Sequence, residues 1–289
     1  MATEMVHLLC VGMGYTAQAL AGKLSSQEWA ISGTARTADG IQTLKNMGYH
    51  ALRFDGVSPL TDPKARLRDV THLLISAPPG EEGDPWLQHH RQTMLRLTSL
   101  RWVGYLSSTG VYGDHSGAWV DESTRPKPTN PRAQRRLHAE QTWWRHWLVD
   151  KLPVHIFRLA GIYGPGRNAI EQLRSQRARL IHKPGQVFSR IHVDDIVQTL
   201  RRSMKAPSPG TLYNVSDDLP APASAVMRFA SQLLGVTPPP SLALNDPRVG
   251  DMARSFYRDN KRVANRRIKD DLGVTLTYAN YRIGLRALM

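Results

Sequence analysis

The sequence has one cysteine, Cys10, among 289 residues. A disulfide within the chain is excluded, and a reducing, cytoplasmic setting is expected. Long apolar runs are missing too. None approaches the ~20 residues of a membrane span, so no membrane partner is expected. The opening MATEMVHLLCVGMG lacks the basic region, apolar stretch and cleavage site of a secretory signal, and none is read there. Acid is scarce: 24 Asp and Glu stand against 38 Lys and Arg, a formal net charge of +14. Yet there is no zinc-finger spacing, no RNP-type aromatic motif and no long basic tail. Specific nucleic-acid binding is therefore not expected, nor is a metal site. The basic residues scatter over 132–136, 174–183, 201–205 and 254–269, as solvated surface with a share that can line a pocket for an anion. No repeat and no low-complexity segment interrupts the chain.

What is present is 41% hydrophobic residues in short runs, enough for a sizeable core. Six runs read as strands: 6–12, 30–36, 50–55, 71–77, 101–108 and 154–161. They are short, apolar and spaced for intervening helices, as a parallel sheet buried on both faces requires. The helices expected between them cover 15–25, 37–47, 85–99 and 131–148. This alternation is the pattern of a doubly wound α/β fold.

The later third differs. Residues 167–186 read as helix then loop, 192–205 as an amphipathic helix and 211–218 as a strand. A helix over 221–235 ends at Gly235. Residues 237–250 are Pro-rich loop, and 260–273 read as a final basic helix closed by Gly273. The expected division is a dinucleotide-binding domain over 1–166, to which 187–216 return. A smaller, interleaved α/β substrate lobe takes 167–186 and 217–289.

The first strand runs into VGMGYTAQALAGKL, a G-x-G-x-x-A pattern of Gly12, Gly14 and Ala17. Gly12 permits the tight turn, Gly14 lets backbone approach a pyrophosphate, and Ala17 allows close helix–strand packing. Tyr15 and Thr16 open the helix whose N-terminus faces the phosphates. The second strand ends in Arg36, with no acid until Asp39. An acid there would bond a ribose 2′-hydroxyl, whereas an arginine suits a 2′-phosphate. NADP(H) is favoured over NAD(H), with a plain surface arginine as the alternative. Asp55 reads equally as an adenine contact or a turn cap. Ser76, Ala77 and Pro78 form a small-residue loop that would pass under the dinucleotide.

Four further motifs follow in order: GYLSSTGVYGD (104–114), FRLAGIYGPGRN (157–168), FSRIHVDDIV (188–197) and GTLYNVSDD (210–218). With the glycine turn, this set resembles the extended short-chain dehydrogenase/reductases, the NAD(P)-dependent epimerase/dehydratase group. The resemblance implies a Rossmann domain, a small C-terminal lobe and a cleft for nicotinamide and substrate. It adds Ser107 and Ala160 to the cofactor set and implies a catalytic hydroxyl at Ser108. It also implies pairing of two chains through the helices over 85–99 and 131–148, a homodimer.

The family carries Tyr-x-x-x-Lys at a helix start, followed by Ala-Glu. Here TNPRAQRRLHAEQ (129–141) supplies that helix, with Asn130 as N-cap and Pro131 at its first position. Ala139-Glu140 sets the register, so the lysine position falls on Arg136 and the tyrosine position on Arg132; the resemblance thereby adds Arg136 to the cofactor set, as a fixed cation near the nicotinamide ribose. Arginine is protonated at any physiological pH. It can polarise a carbonyl or clamp an anion, but it is a poor proton donor. The chain therefore resembles atypical members that lack the Tyr/Lys pair. Helical spacing marks Ala133, Leu137, Trp144 and Leu148 as the buried stripe. Trp143, Trp144 and Trp147 fit core or interface equally.

Candidate catalytic residues are then Ser108, Tyr112, Arg132 and Arg136. Tyr112 is the first choice of proton donor and Tyr163 the other phenol in the motifs, while Thr109 stands beside Ser108 with a hydroxyl to hold a carbonyl oxygen. His192 is expected to be structural, and Asp194 and Asp195 to cap the following helix. Arg132, Arg136, Arg167 and Arg190 would converge to favour an anionic small-molecule substrate. The leading expectation is an oxidoreductase or epimerase/dehydratase-like enzyme acting on a carbonyl or hydroxyl compound. The alternative is a non-catalytic NADP(H)-binding sensor or regulator.

Overall fold

The computed structural model describes residues 5–289. From the N-terminal side the elements are β1 (Val6–Val11), α1 (Tyr15–Ala21), β2 (Trp29–Ala35), α2 (Ala38–Asn46), β3 (His50–Arg53), α3 (Pro63–Leu67), β4 (His72–Ile75) and α4 (Pro85–Met94). Then come β5 (Trp102–Ser108), a 3-10 turn (Thr109–Tyr112), β6 (Trp119–Val120), α5 (Pro131–Asp150), β7 (Val154–Leu159), β8 (Gly161–Tyr163), α6 (Ala169–Arg174) and β9 (Leu180–His182). The remainder is β10 (Arg190–His192), α7 (Val193–Lys205), β11 (Thr211–Val215), α8 (Ala223–Leu234), β12 (Ser241–Ala243), α9 (Asp251–Phe256), β13 (Arg262–Val263), α10 (Arg266–Asp270) and α11 (Tyr281–Arg286).

Seven strands form the main sheet, in the order β11-β7-β5-β4-β1-β2-β3. The ladders of β1 with β2 and β4, of β2 with β3 and of β4 with β5 are parallel. The order reverses at β1, which is the doubly wound arrangement expected from the alternation of strands and helices. Short branched and aliphatic strands suit it because both faces are covered. Leu9, Val11, Leu73, Ile75, Val103, Val154 and Ile156 form a buried cluster with Trp86 and Trp143.

Local chemistry sets the helix ends. Asn130 accepts the Ala133 N–H at 3.0 Å. Asp84 caps α4, where Pro85 takes the first position. Gly235 closes α8 with φ +67, a left-handed backbone that suits glycine.

Three expectations are corrected. The run 154–161 is two strands in two sheets, because Ala160 gives its N–H to Val215 and Gly161 gives its own to Ser189. The segment 260–273 is not one helix. Val263 pairs with Val120, and Asn265 bonds Ser216 and Asp218, so strand pairing and a buried amide override helical periodicity. The final helix is instead α11.

The third correction concerns α5. Leu148 is 50% exposed, and Leu137 and Trp144 are half-buried. The inward face carries Ala139, Glu140, Trp143 and His146. Two of these polar groups have buried partners. Trp143 Nε1 donates to Asp84 at 2.8 Å, and Glu140 accepts from Ser107. Such partnerships remove the cost that would otherwise keep polar groups outside.

The chain divides into two units. One takes the chain up to Ser107, with Arg135–Phe157 and Leu200–Leu212. The other takes Ser108–Gln134, Arg158–Thr199 and Tyr213–Met289. The second has its own cores, one of which joins Ile170, Val226, Ala230, Tyr281 and Leu285.

Candidate functional site

The turn between β1 and α1 is built from its glycines. Gly12 has φ +82, and a Cβ on it would meet the Ala77 backbone nitrogen at 2.9 Å. Ser76 and Ala77 both give their N–H to the Val11 carbonyl at 2.9 Å, which holds that loop against the turn. The Gly12 N–H goes to Thr34 Oγ1 at 2.7 Å. Gly14 is different: it is exposed, and a Cβ there would meet nothing within 4 Å. The backbone is thus closed behind Gly12 and open in front of Gly14, which leaves room for a pyrophosphate. Thr16 and Ala17 are buried and Tyr15 half-buried.

Arg36 follows β2 and is exposed, with no ion pair or hydrogen bond among the described residues. Asp55 is a turn cap: its Oδ1 accepts the N–H groups of Val57 and Ser58 at 2.9 and 3.2 Å. Those two amides hold its carboxyl below the usual range.

At the end of β5 the two serines diverge. Ser107 is buried, and its hydroxyl donates to Glu140. Ser108 is half-buried; its Oγ accepts the Gly110 N–H at 3.1 Å. An oxygen that accepts there still has its own proton to give. Arg136 donates to the Leu106 carbonyl at 2.8 Å and lies 5.7 Å from the Tyr105 ring centroid. Glu140, used in the sequence only to fix register, is 3% exposed. Its signal was a carboxylate one turn after Arg136, on the same helix face.

Tyr112 does not present its phenol. It is fully buried with Val120 and Val263, and its hydroxyl donates to Asn214 Oδ1 at 2.8 Å. Burial pushes its pKa up to about 12. The expected proton donor is therefore an internal group. Tyr163 is likewise 7% exposed, and its hydroxyl donates to Asn280 O at 3.4 Å. Burial, then the nearby carboxylates of Asp217 and Asp195, push its pKa up.

His192 lies against the rings of Tyr163 and Tyr278, at centroid distances of 5.1 and 3.9 Å. Its Nδ1 accepts the Asp194 N–H at 3.2 Å, so the histidine performs the capping expected of the acids. Asp195 instead accepts the N–H groups of Thr277 and Tyr278 at 2.7 and 3.0 Å. It anchors the C-terminal segment, a long-range contact that local sequence does not reveal.

The four arginines expected to converge are not alike. Arg190 donates to the Phe188 and Ala221 carbonyls, both at 2.8 Å, and Arg136 is tied to β5. Arg132 and Arg167 are exposed, and Arg132 has no partner among the described residues. Ala160 is buried, its N–H given to Val215. Pro78 is exposed beside Ala77.

Residues 92–216, which span the end of β5, α5 and the His192 motif, match the model of the NAD dependent epimerase/dehydratase family. Over those residues the chain is similar to that family. Among its similar proteins is Protein YeeZ of Escherichia coli strain K12, 27% identical over 257 residues, 81% of this chain and 86% of that one. A functionally unknown conserved protein from Silicibacter pomeroyi DSS is 49% identical, with TM-score 0.90 over 98% of both chains. The UDP-glucuronic acid 4-epimerase of Bacillus cereus, solved with UDP-glucuronic acid and NAD, has the same fold. Its TM-score is 0.77 over 98% of this chain and 97% of that one, at 18% identity.

Proposed function

We propose that this protein is an NADP(H)-dependent oxidoreductase or epimerase-like enzyme acting on a small anionic carbonyl or hydroxyl compound. The observation that carries the reading is the turn at Gly12 and Gly14, closed on one side by Ala77 and open on the other. A bound nicotinamide would supply the hydride donor or acceptor. The remaining tasks fall to side chains. Gly12, Gly14, Tyr15, Thr16 and Ala17 cradle the pyrophosphate, with Ser76, Ala77 and Pro78 beside it. Arg36, exposed and unpaired, anchors the 2′-phosphate, since a guanidinium offers it two charge-assisted bonds.

Ser108 donates a hydrogen bond to a substrate oxygen and orients it. Arg132 clamps the substrate's anionic group, and Arg136 contributes a fixed positive charge at the end of β5. Because arginine keeps its proton, a developing oxyanion is stabilised electrostatically and protonated by water. Pairing of two chains through α4 and α5 is supported by Leu148 and Val149, 50% and 66% exposed on α5.

A second reading, a non-catalytic NADP(H) sensor, is favoured by one observation: the phenols of Tyr112 and Tyr163 are both buried and engaged. Titration with NADPH and NADH, followed by energy transfer from tryptophan, tests what the two readings share. Arg36→Ala is expected to weaken NADPH at least tenfold, about 1.4 kcal/mol, and to leave NADH unchanged. Equal loss for both would remove Arg36 from the 2′-phosphate site. Steady NADPH consumption with a panel of keto acids and sugar-derived aldehydes supports the enzyme. Tight binding without turnover supports the sensor. No binding of either dinucleotide at millimolar concentration defeats both.

A further inference from the structure

In the second unit, α8 and α11 border an open cavity of about 370 Å³ that the proposed reaction does not use. Arg228, Phe229 and Gln232 line it from α8; Tyr281, Arg282 and Arg286 line it from α11. No Asp or Glu lines it. The three arginines are exposed, and none forms an ion pair among the described residues. Their neighbours behave differently. In the same unit Arg174 pairs with Glu171, Arg248 with Asp246, Arg267 with Asp271 and Lys269 with Asp218.

The arginines are nevertheless placed. The Arg282 and Arg286 guanidiniums lie 5.8 and 5.5 Å from the Phe229 ring centroid, and Arg282 Nε donates to the Tyr281 hydroxyl at 3.3 Å. Cation–π contact orders a guanidinium without neutralising it. A cation in the last turn of α11 offsets the helix dipole, which accounts for Arg286 alone. It does not account for Arg282 or for Arg228 on the facing helix.

We propose that this cavity binds a polyphosphate chain, carried by a nucleotide or by inorganic polyphosphate. One carboxylate satisfies one guanidinium fork. Three forks around one acid-free cavity call for a ligand with several charged oxygens in series. Arg282 and Arg286 stand one turn apart, about 5.4 Å along the helix, so they can hold separate phosphoryl groups of one chain. Arg228 lines the same cavity from α8, and the Gln232 amide adds a neutral donor.

The test is calorimetric titration of the full chain with sodium tripolyphosphate, and in parallel with ATP. Tripolyphosphate is expected to bind, more weakly as salt is raised. Arg228→Ala and the double variant Arg282→Ala/Arg286→Ala should each weaken it tenfold or more. Arg282→Lys should lose less than Arg282→Ala, and Arg248→Ala should change nothing. Circular dichroism should be unchanged throughout, because the side chains are exposed. Equal affinity for ATP assigns recognition to the phosphates; tighter ATP adds the nucleoside, and either outcome keeps the site. Absence of binding at millimolar tripolyphosphate overturns the proposal. So does a loss confined to Arg36→Ala, which would place the anion in the dinucleotide turn. Binding of a DNA duplex that tripolyphosphate cannot displace overturns it as well.

Discussion

The Tyr112 hydroxyl donates to Asn214 Oδ1, and Arg158 covers the ring at 4.7 Å from its centroid. Removing that hydroxyl exposes the difference between a structural and a catalytic phenol. Tyr112→Phe leaves the Asn214 oxygen without its donor, in an amide whose nitrogen already lacks an acceptor among the described residues. The expected cost is about 1–2 kcal/mol of stability, read by urea denaturation. Any NADPH turnover should persist, and a loss of turnover beyond the loss of folded protein would return Tyr112 to the chemistry. At this scale the sequence was informative where backbone need dictates residue type. Gly12 requires a positive φ, and Asn130 and Pro131 suit a helix start. It was uninformative where a side chain's role depends on a distant partner. Ser107 and Ser108 are adjacent hydroxyls in one motif, but only Ser107 has Glu140, 33 positions on, to receive its proton.

Helix α5 teaches the same lesson at the scale of an element. Its position, its cap and its length to within two residues were legible, because propensity and capping are local. Its orientation was not. Hydrophobic spacing counted Leu148 as buried and gave Glu140 no weight, whereas paired polar groups decided which face turns inward. Two substitutions separate these alternatives. Trp143→Ala removes a fully buried indole together with its bond to Asp84, and should cost about 3–5 kcal/mol. Leu148→Lys should change stability by under about 0.5 kcal/mol while shifting a dimer towards monomer in light scattering. A large destabilisation by Leu148→Lys would restore the original stripe. The segment 260–273 shows the limit more sharply. Nothing nearby in sequence announces that Val263 pairs with Val120.

For the whole molecule, pH acts through groups of opposite sense. Burial holds His72, His90 and His155 at pKa values of about 4, below the ~6.5 of an unfolded histidine. The unfolded chain binds more protons in that interval, so stability falls as pH drops from about 6.5 towards 4. Asp217 has the reverse sign. Burial raises it to about 8, so the folded chain holds the extra proton, and its contribution is lost as pH rises from about 4 through 8. Melting temperatures should therefore fall on acidification below about 6.5. Asp217→Asn should flatten the alkaline side and leave the acid side in place; an unchanged alkaline slope would show that Asp217 is ionised in the fold. The division of the chain carries a consequence for synthesis. On the side away from β4, β5 is bordered by β7, which begins at Val154, 46 positions after Ser108. At ~5–20 residues per second a ribosome needs about 2–9 s to make that stretch, and β11 emerges later still. During that interval the nascent sheet carries an open edge at β5, an unpaired row of backbone groups of the kind that makes folding intermediates prone to aggregate.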